Sequence, residues 1–495
     1  MPGSFETVVA RAHERATPAE AERERLEAVV QEVIDRAEHA IASFPVAADI
    51  VHVGSTVRNT WVAGDRDVDV FVRFDSALDR AELERYGLAV GNEVLPDGRE
   101  EYAEHPYVTG EIEGVAVDLV PCYRVESATA IRSAVDRTPF HTEYLNRRLD
   151  DSLAADVRVC KAFLAGIDAY GSDLRTRGFS GYLTELLVLV HDGFGELTEA
   201  AANWSPPVRL DPEGHEGSEQ GFDEPLVVID PTDPNRNVAA VLSTTNLARF
   251  QHYARELLAD PRDELFERRE PDPIDAEAVR EAIDARGTTP IALRFSVPGL
   301  VDDQLYPQLE KSSAGIGRAL SERGFRLLRR DVFAAGADGD TGSAETEIET
   351  SRNGRSGDGD GERDERSGRN GHGGRNERRE CVLLFELTVA ERPRIERHEG
   401  PPVSVREHAR SFYRTYAESD AYGPFIDGDR YVLERAREFT SARAFLESDA
   451  LFGVALGADI ETALNAEYDL LIGDDIGDLA PMFGAELARY FAPRP

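Results

Sequence analysis

Asp67 and Asp69 stand two residues apart in an apolar run, Asp67-Val68-Asp69-Val70-Phe71-Val72. A strand has a period of two, so both acids project from one face while Val68, Val70 and Val72 go to the other. Carboxylates crowded on one face of a buried strand repel each other and resist burial. A divalent cation relieves both problems, and hard oxygen ligands of this kind suit magnesium or manganese. A third acid, Asp118, lies alone in the β-branched run Val115-Ala116-Val117-Asp118-Leu119-Val120, just after a turn signal at Glu113-Gly114. A lone carboxylate there needs a partner or a metal. If its strand lies beside the first, Asp67, Asp69 and Asp118 make a triad. Metal ions held there could activate an attacking hydroxyl and steady a leaving pyrophosphate. A calcium loop starting at Asp65 is excluded, because Val70 stands where Gly is required and Ser76 where the closing Glu belongs.

The elements that must position these acids are readable nearby. Ile50 to Val53 reads as a short apolar strand, ended by Gly54-Ser55 and followed by a basic turn through Arg58. The bare backbone N–H groups and hydroxyl of Gly54-Ser55 would face a triphosphate. An Asp-x-Asp pair alone carries little weight, since most are turn or strand-end residues. The ordered combination of strand, Gly-Ser, Asp-x-Asp strand and later isolated strand Asp is far more specific. Upstream, Thr17-Pro18-Ala19-Glu20 predicts a helix start with Thr17 as cap and Glu20 closing a capping box, the helix running to about Ala42.

Charge sets a second constraint. The chain has 495 residues and a formal net charge of −38, with 94 acidic against 56 basic residues. That length predicts roughly three or four domains. Nearly all cations are Arg; the lysines are Lys161 and Lys311. Acid excess with lysine depletion indicates a halophilic protein, kept soluble in a salt-rich cytoplasm by self-repulsion. Such a charge argues against nucleic acid at low salt, but the Debye length falls to about 3 Å at 1 M. Hydrogen-bonded Arg forks survive that screening better than diffuse attraction. The three cysteines, Cys122, Cys160 and Cys381, show neither disulfide nor zinc spacing. No stretch has the apolar length of a membrane span, and the first residues lack an apolar signal core. A cytoplasmic protein with no membrane partner is expected.

Residues 138 to 260 read as mainly helical. Thr138 before Pro139 predicts a cap; His141 three residues on is ordinarily a surface or capping histidine. Lys161 sits in a helical run, in a chain that has discarded nearly every lysine, so it is a candidate phosphate contact. Tyr170 is core by default but could stack on a base. Asp230-Pro231-Thr232-Asp233-Pro234-Asn235-Arg236 reads as a Pro-Asn turn entering a helix, with Arg236 ordinarily an exposed side chain. From about 262 a Pro- and charge-rich stretch marks a boundary. Beyond it, Pro290 to Val297 reads as strand, Asp302 to Arg323 as helix, and Phe325 to Phe333 and Cys381 to Val389 as strands. Gly315-Ile316-Gly317 falls inside the helix pattern and is rejected as a dinucleotide loop. Residues 335 to 380 are Gly, Asp, Glu, Arg, Ser and Asn with almost no large apolar group, the composition of a disordered insertion in a hairpin. Helix patterns around 408 to 417 and 441 to 446 follow, with strand or turn signals at 422 to 425 and 431 to 432.

GS followed by DVDVF and then VDLVP resembles the catalytic head of the DNA polymerase β-type nucleotidyltransferase superfamily. TPFH, KAFL, IDAYG, RGFSGYL and DPNRNVAAVLS narrow the resemblance to the archaeal (class I) CCA-adding tRNA nucleotidyltransferases, here of a halophilic type. The family's first carboxylate is often Glu; Asp67 replaces it, and the shorter side chain still ligates metal. The resemblance implies an α+β multidomain fold: a polymerase β-like head with a mixed sheet over 1–137, a helical neck over 138–262, and an α/β body and tail that grips tRNA over 263–495. It implies template-independent addition of C, C and A to the tRNA 3′ end from CTP and ATP. Asp67, Asp69 and Asp118 would be catalytic and would hold two Mg2+ ions. Ser55 and Arg58 would join the triphosphate or primer-end site. Thr138, His141, Lys161 and Tyr170 would contact triphosphate or sugar, and Arg236 would lie at the incoming base. The tRNA acceptor stem and TΨC arm are the implied partners, with a homodimer expected by analogy. The alternatives are a poly(A) polymerase-type RNA nucleotidyltransferase, and a non-catalytic RNA-binding protein on a transferase scaffold.

Overall fold

The computed structural model describes residues 4–102, 104–215, 221–335 and 378–495. They form two compact units that divide between Arg269 and Glu270.

The first unit begins with two helices, α1 (Phe5–Ala16) and α2 (Glu20–Ile41), and then builds a five-stranded sheet. Its strands are β1 (Ala48–Val53), β2 (Asp67–Asp75), β3 (Arg99–Tyr102), β4 (Pro106–Ile112) and β5 (Val115–Arg124), with a helical turn α3 (Gly54–Val57) after β1 and a longer helix α4 (Arg80–Val94) after β2. The spatial order is β1-β2-β5-β4-β3. Only β2 and β5 run parallel; the other neighbours are antiparallel. The alternation of Val and Asp in β2 sorts the two faces. Val68, Val70 and Val72, with Val117 and Leu119 of β5, pack under Val29 and Val33 of α2 and Val90 of α4 in one core. The opposite face carries the acids.

Five helices follow: α5 (Thr138–Asn146), α6 (Asp151–Gly166), α7 (Gly181–His191), α8 (Phe194–Asn203) and α9 (Thr244–Ala259). Their apolar faces, with Phe163, Phe179, Phe194 and Phe250 at the centre, form a second core that also takes Val8 and Ala12 of α1. A small sheet interrupts them: β6 (Val208–Leu210), β7 (Leu226–Asp230) and β8 (Asp233–Asn237).

The second unit holds α10 (Ala276–Arg286), β9 (Thr289–Pro298), α11 (Asp302–Glu322), β10 (Arg326–Ala334), β11 (Arg378–Val389), β12 (Ile395–Pro402), α12 (Arg406–Tyr416), β13 (Tyr422–Asp427), β14 (Arg430–Ala436), α13 (Ala442–Leu446), α14 (Ala458–Ala466), β15 (Asp469–Ile472) and α15 (Ala480–Phe491). The main sheet has the order β10-β11-β9-β15. One face packs on α11, α13 and α14 and the other on α10 and α15, which is why β9 and β11 read as near-continuous apolar runs. A second sheet, β12-β14-β13, carries α12. No helix among the described residues is long and apolar enough to cross a membrane.

Several expectations need correction. Thr17 does not start α2: it ends α1, its hydroxyl donating to the His13 carbonyl at 2.7 Å. Helix α2 has Ala19 at its N-cap and no side-chain cap. The patterning missed α1, whose C-cap is Thr17. Thr138 is likewise the first residue of α5 rather than its cap. The stretch from Asp230 does not enter a helix directly. Residues 233–237 form strand β8, because the Asn237 amide oxygen accepts from the backbone of Val228 and ties it to β7. The strands flanking the proposed insertion do pair, Ala334 opposite Cys381, but residues 336–377 lie outside the described residues.

Gly315 shows why the Gly-Ile-Gly signal arose. A Cβ at that position of α11 would come within 2.1 Å of the Ala455 carbonyl oxygen, so the glycine permits close packing rather than binding phosphate. Gly→Ala in a helix interior ordinarily stabilises by about 0.5–1 kcal/mol. Here the sign reverses: Gly315→Ala is expected to destabilise by about 1–3 kcal/mol through overpacking. Calorimetry would read it as a lower Tm.

Candidate active site

The parallel pairing of β2 with β5 sets Asp69 opposite Asp118 and Asp67 opposite Ala116. With the period of two, Asp67, Asp69 and Asp118 share one face of two adjacent strands. Asp118 is 7% exposed, and Asp67 and Asp69 are half-buried. Glycine is needed next to them. Gly54 has φ +81°, and a Cβ there would come within 2.3 Å of Asp69 Oδ2. The Gly-Ser turn therefore lies directly against Asp69.

Burial, and then the negative charges of Asp65 and Asp118, push the Asp67 carboxyl up to about 7. Asp67 and Asp65 also share a side-chain hydrogen bond. Burial raises Asp65 as well, while the Lys161 ammonium pulls it back. The Tyr107 phenol is pushed up by burial and then by Asp118, and also feels Asp69. These are the marks of excess negative charge confined in a small volume. Among the described residues, no three His, Cys, Asp or Glu side chains form a ready-made metal cage. The all-carboxylate donor set, beside a bare glycine backbone, fits a hard divalent cation.

A second group lines a pocket with Arg58, Thr138, His141, Thr142, Ser172, Ser180 and Tyr182. Arg58 follows α3 and is 6% exposed. Its guanidinium is held by Glu185 of α7, through Nε to Oε1 at 3.0 Å and Nη2 to Oε2 at 2.9 Å, and by Thr142 at 3.2 Å. Thr60 also donates to Glu185. Glu185 is fully buried, so Arg58 reaches the pocket from a rigid anchor. His141 stacks on Tyr182, with ring centroids 4.0 Å apart and planes at 15°.

The third group centres on Asp230, at the end of β7 and fully buried. His141 Nε2 and Arg236 Nη1 each lie 2.8 Å from its Oδ2. The Thr232 amide and hydroxyl donate to its Oδ1 at 2.8 and 2.7 Å. Burial alone would raise this carboxyl, but the charge and hydrogen bond of His141, then Arg236 and the Thr232 backbone, hold it well below the usual range. Lys161 of α6 is buried, with Nζ 5.9 Å from the centre of the Tyr170 ring.

Every residue singled out from the sequence thus falls in the first unit. Asp67, Asp69 and Asp118 share one strand face, with Gly54 against Asp69; Arg58, Thr138 and His141 share a pocket; His141 and Arg236 share one carboxylate. Asp65, Tyr107, Tyr182, Glu185 and Asp230 were missed. Two had a signal: Glu185 is a lone acid in the apolar run Leu183 to Val190, and Asp230 precedes Pro231-Thr232 in an Asx-turn pattern.

Three family models match the chain: "Nucleotidyltransferase domain" over residues 34–141, "tRNA nucleotidyltransferase, second domain" over 155–267, and "CCA-adding enzyme, C-terminal domain" over 286–340 and 370–473. The CCA-adding enzyme of Haloarcula marismortui is 58% identical over 496 residues, covering 100% of both chains. That of Halorubrum lacusprofundi is 57% identical, covering 99% of each, and that of Halobacterium salinarum 51%, covering 98% of each. Among solved structures, the Cid1 poly(U) polymerase with Mg 3'-dATP bound aligns with a TM-score of 0.43 and 15% identity, covering 54% of this chain and 99% of that one. The E. coli MS115-1 CdnC:HORMA-deltaN complex aligns with 0.41 and 15%, covering 52% and 93%.

Asp67 carries a pH signature. Its folded-state value is raised from 3.8 to about 7. Its contribution to stability is therefore fully present below 3.8 and is lost as pH rises through 7. In chelator at pH 8, Asp67→Asn is expected to raise Tm relative to the native chain, while at pH 4 the two converge. A divalent cation held by Asp67 would displace its proton. Magnesium affinity, read by titration calorimetry, is expected to fall below pH 7 by up to about tenfold per pH unit. A lower Tm for Asp67→Asn at pH 8 would contradict the crowded-charge account.

Proposed function

This chain belongs to the CCA-adding enzyme family, a family of tRNA nucleotidyltransferases, and from that membership we propose how its residues add CCA to the tRNA 3′ end. The substrates are tRNA and the nucleotides CTP and ATP. The observation that supports the chemistry is the parallel register that puts Asp118 beside Asp69, with Asp67 on the same face. Asp67 and Asp69 would hold two divalent cations, and Asp118 one of them. Bound there, the ions would supply Lewis-acid activation of the primer hydroxyl and neutralise the departing pyrophosphate.

The chain's own groups do the rest. The primer 3′-oxygen forms a bond to the α-phosphorus, the bond to pyrophosphate breaks, and Asp118 is placed to help take the hydroxyl proton. Gly54-Ser55 offers backbone N–H groups and a hydroxyl to the triphosphate. Arg58, anchored on Glu185, presents its charge at a defined position without reorganising. Thr138, His141, Lys161 and Tyr170 contact phosphate or sugar. Arg236 reads the incoming base: its donors reach acceptors on cytosine and adenine. Together with the tRNA end, this side chain stands in for a template strand. Within the first unit, residues 1–137 act as the catalytic head and 138–262 as the nucleotide-reading neck, and 263–495 bind tRNA at the acceptor stem and TΨC arm. The enzyme works in the cytoplasm, with a homodimer proposed on family analogy alone.

Helix α12 supports an RNA contact in the second unit. Arg406, Arg410 and Arg414 recur every four residues, so they share a face at about 6 Å intervals. All three are exposed and line one shallow surface with Glu407. Nearby Arg397, Arg435 and Arg437 are paired with Asp427 and Glu396, whereas these three form no ion pair among the described residues. Exposed Tyr413 lies on the same helix. A row of unneutralised arginines suits a phosphate backbone.

Incorporation into tRNA ending at the discriminator base, in high KCl with magnesium, tests the activity. CTP alone is expected to add two C, and a single A follows only when ATP is present. Asp118→Asn is expected to abolish incorporation and retain tRNA binding. Long A tails would indicate a poly(A) polymerase instead. Replacing Arg406, Arg410 and Arg414 by Ala is expected to raise KM for tRNA at least about tenfold and leave KM for CTP unchanged. The same variant should flatten the log–log salt dependence of tRNA binding by about 0.7–0.9 for each phosphate no longer neutralised. An unchanged KM and slope would remove α12 from the interface.

A further inference from the structure

We infer that Asp230 is a positioning residue that couples the phosphate side of the nucleotide site to its base-reading side. This rests on the roles proposed above for His141 and Arg236. His141 Nε2 and Arg236 Nη1 both bond to the same oxygen, Oδ2, at 2.8 Å each. The other oxygen is fixed independently by the Thr232 amide and hydroxyl, with Tyr182 Oη 3.5 Å away. The carboxylate is fully buried, so water does not substitute for a missing partner, and a broken bond leaves a buried group unsatisfied.

Two consequences follow from one shared acceptor. Oδ2 is the fulcrum of a short bridge: a shift of the imidazole changes the direction and strength of the bond left for the guanidinium. The ring is also clamped by Tyr182, so its freedom is mainly rotation against Asp230. Only when both donors sit at their native distance from Oδ2 is Arg236 aimed as the fold sets it. A nucleotide that engages His141 correctly thereby steadies the side chain that inspects its base. Asp230 touches neither substrate nor reacting atoms in this scheme; it acts through the two residues it holds.

The test is a double-mutant cycle that leaves Asp230 in place. Affinity for CTP is measured by titration on the enzyme bound to tRNA with a 3′-deoxy end, so that no turnover is needed. His141→Ala and Arg236→Ala are each expected to weaken CTP about ten- to a hundredfold, the range for losing an orienting partner. The double variant is expected to lose little more than the worse single one. Asp230→Asn should reproduce that loss and reduce the preference for CTP over UTP at least about tenfold. Thr232→Val, which removes only the hydroxyl anchor, should show a smaller loss of the same preference at native Tm. Additive effects in the cycle would overturn the coupling. So would Asp230→Asn lowering Tm and affinity for both nucleotides with the preference intact. If the native complex binds no CTP at all, the nucleotide-transfer reading falls with it, an outcome distinct from binding with additivity.

Discussion

Like charges brought together where water is scarce are the constraint on which the first unit depends. Asp67, Asp69 and Asp118 occupy one face of two parallel neighbours, with Asp65 within hydrogen-bonding reach of Asp67. Such a cluster is unfavourable by itself. It persists because the opposite face of the same strands buries Val68, Val70, Val72, Val117 and Leu119 under two helices. A one-residue slip of β2 would turn those valines outward and the acids into the core. The apolar face thus sets the register, and the register holds the acids. The Lys161 charge beside Asp65 and the hydrogen bond between Asp65 and Asp67 relieve part of the repulsion, and a hard cation would relieve more.

The buried ion pairs around the pocket answer a different need. Arg58 with Glu185, and Asp230 with His141 and Arg236, are all largely withdrawn from solvent. Pairs of this kind gain little net stability, because desolvation offsets much of the attraction. Their benefit lies in geometry. A long flexible arginine on an exposed loop samples many rotamers, whereas one locked to a buried carboxylate presents its charge in one place. A site that must tell nucleotides apart by few contacts gains more from that rigidity than from extra binding strength.

The acids were legible in the sequence because period-two alternation is local. Six residues from Asp67 to Val72 suffice to put two carboxylates on one face, and Asp118 stands out against its apolar neighbours. The pairing of β2 with β5 was readable only as a condition, since a parallel contact between strands some fifty residues apart leaves no local mark. Arg58, His141 and Arg236 were found through motif resemblance, while their anchors were not. Glu185 reads as an odd polar residue in an apolar helix and Asp230 as a turn former; only the fold brings each to its partner. The misplaced helix start at Thr17 has the same origin. Thr-Pro-x-Glu satisfies the local rules for a cap, yet a preceding helix takes the threonine to bond the His13 carbonyl of its last turn.

The overall charge and the α12 arginines would act on the same partner through different ranges: the first is screened by salt and the second is not. A net charge of −38 repels RNA at long range, and that repulsion decays over a Debye length, about 3 Å in molar salt. Under such screening diffuse positive charge would also attract little, so scattered lysines would be of little use, and the chain has only two. What survives is the contact itself: a guanidinium fork against a phosphate at hydrogen-bond distance. Many arginines among the described residues are balanced by carboxylates at short range. A row left without such partners, on an exposed helix, is where that balance is withheld. If α12 meets RNA as proposed, placement of a few unneutralised forks would govern that binding in salt more than the sign of the whole molecule does.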